Sequence, residues 1–151
     1  MKLKTNRGYV GVDISIGIVV LLFMVPTIMG IVYAINSSKI STQIKSEATS
    51  ILVNTIETAK GIGVENIDDS INENKFFDEL KGYEMQPFSG NNTRIINTDT
   101  ASYILQLDVL DYADSNTNIS ADRNKVKTVI ATVSYKIRNN IEEKSLKTVL
   151  K

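Results

Sequence analysis

Cysteine and histidine are both absent from the 151-residue sequence. Their absence excludes disulfide bridges, thiolate or imidazole metal sites, and every catalytic arrangement built on a Cys or His nucleophile or base. A carboxylate-only enzyme stays open. A surplus of charge is also missing: 17 Lys and Arg balance 17 Asp and Glu. Nucleic-acid binding usually leaves a basic excess, so nothing global points to such a partner. Charge is missing locally as well, because no charged side chain occurs from residue 14 to residue 38. The length fits one membrane segment and one modest globular domain.

The uncharged stretch contains ISIGIVVLLFMVPTIMGIVYAI, which is almost wholly apolar. A helix crossing the hydrocarbon core needs roughly 20 such residues, so the segment is long enough to span. Residues 1–8, MKLKTNRG, carry Lys2, Lys4 and Arg7 and no acid. Positive flanks stay inside, which places this leader in the cytoplasm and the rest of the chain beyond the membrane. An ordinary secretory signal has a shorter apolar region ending at a small-residue cleavage site. Here the run leads into SSKISTQIK with no such site, so the segment reads as retained.

Asp13 interrupts the apolar pattern four residues after Tyr9. A carboxylate deep in a bilayer costs about 2.5–3.5 kcal/mol on insertion scales and usually has a partner. Two readings stand side by side. Asp13 can lie near the cytoplasmic end of the helix and reach the interface, or it can meet a cation delivered to its own depth. Cutting the chain between Gly8 and Tyr9 creates such a cation, since a new α-amino group is positive at neutral pH. Pro26, with Gly17 and Gly30, also lies in the span. Proline gives no N–H to the Leu22 carbonyl, which membrane helices tolerate when neighbours compensate.

The string Lys4-Thr5-Asn6-Arg7-Gly8-Tyr9-Val10-Gly11-Val12-Asp13 resembles the cleavage and methylation signature of type IV prepilins. That family has a short basic leader ending in Gly, then an aromatic residue, then an acid fifth in the mature chain. The resemblance implies that Gly8 is the last leader residue and that Tyr9 is the methylated new N-terminus. It also implies that Asp13 neutralises the terminal amine of a neighbouring subunit during assembly. The family more often has Phe and Glu at the last two of these positions; Tyr and Asp keep the aromatic and carboxylate character. The same resemblance implies that the helix around Pro26 and Gly30 can stretch or melt inside a filament.

Past Ser38 the sequence turns polar while an apolar stripe persists. Ile40, Ile44, Ala48, Ile51, Leu52, Thr55 and Ala59 recur at spacings of three and four, as on an amphipathic helix. Lys39, Lys45, Glu47 and Glu57 fall on other faces, and Gly61 and Gly63 supply a stop. One helix from about Tyr9 to Lys60 would be roughly 75 Å long, too long for a small soluble domain. In the stretch from residue 62 to residue 82, Asp68 or Ser70 is expected to cap a short helix through about Leu80, with Gly82 ending it.

The period then changes to two. Tyr103, Leu105, Leu107 and Val109 alternate with more polar residues, as do Val129, Ala131, Val133, Tyr135 and Ile137. Asn139 and Asn140 tolerate the positive φ of a tight hairpin turn. A last strand is expected from about Glu143 to Leu150, and a short one near Tyr83 to Gln86. The fold class is therefore α+β: a long N-terminal helix, transmembrane in its first half and amphipathic in its second, packed on a small C-terminal antiparallel meander of three or four strands. The expected division is 1–8 leader, 9–38 transmembrane or filament-core helix, 39–61 amphipathic continuation and 62–151 head. This is the pilin layout, and the final two strands resemble those of minor pilins and pseudopilins.

Other groupings carry less. Asp111, Asp114, Asn116 and Asp122 offer oxygens of the kind calcium prefers, without the spacing of an EF-hand loop. Asn91-Asn92-Thr93 and Asn118-Ile119-Ser120 match the glycosylation triplet, which arises often by chance. Asp68, Asp69, Glu73, Asp78 and Glu79 read as a solvated helix face. Lys125, Lys127, Lys136 and Arg138 are balanced by nearby acids, so DNA binding is not supported. No catalytic residue, cofactor or metal is expected. The expected function is that of a minor pilin or pseudopilin of a type IV filament, with other pilin subunits, a prepilin peptidase/N-methyltransferase and inner-membrane platform proteins as partners. It would be a single-pass inner-membrane protein before assembly and part of a surface or periplasmic filament afterwards. The alternative is a membrane-anchored extracytoplasmic binding or sensing module that keeps its leader.

Overall fold

A computed structural model describes residues 7–80, 82–111 and 126–151, with side chains from Val12 onward. The chain divides into two units, Met1–Ile40 and Ser41–Lys151. Helix α1 (Arg7–Ile62) begins in the first and ends in the second, unbroken through Pro26. It stops where expected. Gly63 takes φ 81°, a conformation that costs glycine nothing, and its N–H donates to the Ala59 carbonyl at 3.2 Å. Lys60 in the last turn complements the helix dipole.

In the second unit the apolar stripe of α1 is core. Ile44, Ala48, Ile51, Leu52, Ile56 and Ala59 are buried, and Thr55 joins them because its hydroxyl donates to the Ile51 carbonyl at 2.7 Å. Ile40 departs from the expected stripe, at 53 % exposed. It lies before the head unit begins at Ser41, so the periodicity extends one turn beyond the surface available to cover it.

The single short helix expected up to Leu80 is two helices, α2 (Ile67–Asn72) and α3 (Lys75–Glu79). Asn74 separates them at φ 62°, in the left-handed region that ends a helix. Asn66 and Asn74, not Asp68 or Ser70, occupy the N-cap positions, and neither makes a side-chain cap bond. Burial explains the placement. Ile67, Ile71, Phe76 and Phe77 all turn into the core, and no one straight helix presents all four to it. Gly82, expected to end this segment, takes φ 94° just before the sheet begins.

The sheet has five strands, β1 (Glu84–Pro87), β2 (Thr93–Asn97), β3 (Ser102–Asp111), β4 (Lys127–Ile137) and β5 (Asn140–Leu150), each antiparallel to the next in the order β1-β2-β3-β4-β5. The strand beyond the expected three or four is β2, which sequence alternation does not reveal. It is only five residues long, and its core-facing positions are Arg94 and Ile96. Arg94 is 5 % exposed, with its guanidinium 4.2 Å from the centre of the Phe77 ring and donating to the Thr93 carbonyl at 2.8 Å and to Asn74. A buried charge made usable by these partners reads as polar in a hydropathy pattern.

The β4–β5 turn also departs from expectation. Asn140 is paired with Ile137 inside the ladder, and Arg138 carries the positive φ of 56°, so β5 starts earlier than residue 143. The helix-facing residues of the central strands meet in register, Tyr103 with Tyr135, Leu105 with Val133, Leu107 with Ala131 and Val109 with Val129. Together with the stripe of α1 they form the head core.

Candidate functional site

From Val12 to Ile35 the large apolar side chains of α1 are all exposed, from 48 % at Val20 and Val32 to 77 % at Tyr33. By length and composition the helix can cross a membrane, and none of its apolar window is buried within the protein. Exposed apolar surface on this scale marks a membrane or protein contact. Asp13 sits exposed near the start of this surface, and no group among the described residues partners its carboxylate. Gly8 and Tyr9 lie in α1 by their backbone. Around Pro26 the helix stays regular, and Thr27 Oγ1 donates to the Phe23 carbonyl at 2.8 Å. Gly17 and Gly30 have open space where a Cβ would lie, so neighbours can approach the backbone closely there.

A second constellation, absent from the sequence reading, lies in the head. Glu47, off the apolar stripe of α1, is the hub of four side-chain donors. Thr98 and Tyr103 donate to Oε2 at 3.0 and 2.8 Å, while Thr100 and Gln43 donate to Oε1 at 2.8 and 3.1 Å. The arrangement clamps the β2–β3 turn to α1. Partial burial pushes the Glu47 carboxyl up, but the bonds from Thr100, Tyr103, Gln43 and Thr98 together outweigh it and hold it below the usual carboxylate range. Burial and the facing carboxylate raise the Tyr103 phenol, so it stays a donor. No sequence signal identifies Glu47, because three of its four donors, Thr98, Thr100 and Tyr103, come from the β2–β3 turn and β3, more than fifty residues along the chain.

The sign of the pH effect follows. A depressed carboxylate contributes stability that is present above its unfolded pKa, about 4.3, and is lost as pH falls through the lower folded value. Glu47→Gln is therefore expected to destabilise the head by about 1–2 kcal/mol at pH 7, with solvent screening keeping the loss modest. The difference from the parent should be smaller at about pH 3 than at pH 7. Urea midpoints at the two pH values measure this, and an equal loss at both would remove the carboxylate from the explanation.

The remaining acids are scattered. Asp68 pairs with Lys127, whose side chain is only 12 % exposed, and Glu73 pairs with Lys75. Asp69, Asp78 and Glu79 are exposed on α2 and α3, so the expected single acidic face is split between two helices. A cavity of about 590 Å³ opens among Asp68, Ile71, Asn92, Leu107, Asp108 and Ile130. Its Asp108 already accepts from Asn92 and Gln106. Asp111 is exposed at the end of β3; Asp114, Asn116, Asp122, Lys125 and the Asn118 triplet lie outside the described residues. Asn91 and Asn92 are tied into the fold through the Asn72 carbonyl and Asp108. Among the described residues no three acids, cysteines or histidines group as metal ligands. No family model, curated protein or solved structure matches this chain.

Proposed function

We propose that this chain is a structural subunit, a minor pilin or pseudopilin, of a type IV pilus-like filament. One observation carries the reading. A helix that exposes its large apolar side chains from Val12 to Ile35 has one acid near its start, four residues after Tyr9, and ends under a folded head. A plain membrane anchor gains nothing from Asp13, whereas a helix packed among copies with free N-terminal amines does.

In this reading the chain inserts with its leader in the cytoplasm. A prepilin peptidase removes residues 1–8 and the amine of Tyr9 is methylated. Platform proteins then pass the subunit into a filament in which apolar helices bundle and Asp13 offsets a neighbour's terminal charge. The open flanks of Gly17 and Gly30 permit close helix approach. Packing and electrostatics do the work, with no bond-making step in this chain.

Intact mass of the membrane protein, made with and without a prepilin peptidase, tests the first step. The expected mass lacks residues 1–8 and gains one methyl group only when the enzyme is present, and Gly8→Val keeps the full chain. Retention of the leader beside active enzyme would return the protein to a tethered module.

A further inference from the structure

We infer that the free edge of β5 is a self-association surface, which takes the β5 of a second copy antiparallel across a two-fold axis at Ser145. This inference concerns the head alone and does not depend on the filament reading. The sheet has two edges. β1 is short and ends in Pro87, a well-protected edge, while β5 runs from Asn140 to Leu150 with β4 as its only strand neighbour among the described residues.

The hydrogen-bond phase of that edge can be worked out. The Leu107 N–H donates to the Asn92 carbonyl at 2.9 Å, so odd-numbered residues of β3 direct their backbone groups to β2 and even-numbered ones to β4. The pairs Leu107 with Ala131 and Ala131 with Leu146 carry this alternation across the sheet. Even-numbered residues of β5 therefore bond to β4. Those of Ile141, Glu143, Ser145, Lys147 and Val149 point to the open edge.

The side chains of these five residues share the sheet face opposite α1. Read about Ser145 they are self-complementary. In an antiparallel pair centred there, Ile141 meets the second copy's Val149, Glu143 meets its Lys147 and Ser145 meets its Ser145. Each is a pair exchanging backbone bonds. Ile141 is 73 % and Val149 40 % exposed, so both apolar ends gain cover. Lys147 has no partner among the described residues, and Glu143 accepts from the small hydroxyl of Ser134 at 3.2 Å. The inward residues do not compete, since Glu142 is held by Lys45 at 2.9 Å and Lys144 donates to Thr49 at 2.8 Å. Centring the pair on Glu143, Lys144 or Lys147 sets like charges opposite, which disfavours it. Centring on Leu146 puts Glu143 against Val149 and leaves the charges unmatched. A merely protected edge carries charges in any order; this order selects one partner and one register.

The cysteine-free sequence makes the test direct. In the full chain in detergent micelles, Ser145→Cys places two thiols on residues about 5.5 Å apart between Cα atoms, within disulfide reach. Lys147→Cys places them roughly four residues, about 13 Å, out of register. Oxidation is expected to yield at least about ten times more covalent dimer from the first variant. In the Ser145→Cys chain, Glu143→Lys or Lys147→Glu alone should each lower the yield about tenfold. Mixing these two reversed chains should restore it, because every cross-pair is then opposite in sign. Circular dichroism on each exposed-site variant verifies folding, and the mixture itself shows that both chains remain competent. Equal yields at positions 145 and 147, or a yield indifferent to reversal or unrestored by mixing, overturns the inference.

Discussion

Asp13→Ala is expected to leave the chain inserted and trimmed but missing from sheared filaments, whereas Asp13→Glu still assembles. The first half of α1 offers an apolar surface to its neighbours. A carboxylate among packed helices is costly alone, and so is an amine; each is tolerated when the other is present. Removing one partner leaves the other unpaired, a loss of about 3–5 kcal/mol for a desolvated pair. At 1.4 kcal/mol per factor of ten, each subunit addition weakens by more than about a hundredfold. Asp13→Asn keeps the shape and loses the charge, so it should behave like Ala. Immunoblots of filament and membrane fractions read the outcome. Filaments from Asp13→Asn cells at parental level would show that the acid does no pairing.

The second large effect lies in the head. Tyr103 is fully buried, packs against Tyr135 with ring centres 6.0 Å apart, and donates its hydroxyl to Glu47. Tyr103→Ala should cost about 3–5 kcal/mol through the cavity it leaves, lowering the melting temperature of a head this size by about 15 °C. Tyr103→Phe keeps the ring and removes only the charge-assisted bond, for about 1–2 kcal/mol. Thermal melts of the two variants in one detergent separate ring from hydroxyl. If Phe proved as damaging as Ala, the hydroxyl rather than the packing would govern the head; if both melted with the parent, the Tyr103 core would be peripheral.

The contrast between Ile51 and Glu47 shows why some of this was legible in the chain itself. Ile51 belongs to a period fixed by helix geometry, so its burial could be read from spacing alone. Glu47 sits four residues earlier with no such mark, since its role depends on Thr98 and Thr100 arriving from a distant turn. β3 and β4 were visible because both alternate cleanly over their core-facing residues. β2 was not, because Arg94 takes a core position and its charge is met by the Phe77 ring, Asn74 and backbone carbonyls. The break at Asn74 was hidden for a related reason: helix propensity is local, and the demand to bury Ile67, Ile71, Phe76 and Phe77 together is not.

What the sequence determined by itself is the division of α1 into an apolar half and a striped half, its glycine stop and the presence of a lone acid after Tyr9. Those follow from short-range rules of hydropathy, period and chain stereochemistry. Only the tertiary structure decided that Glu47 clamps the β2–β3 turn, that Arg94 can be buried, and that the odd residues of β5 face an open edge in a self-matching order. Each of these requires knowing which distant backbone lies alongside, and strand register is a property of the folded sheet rather than of any one strand.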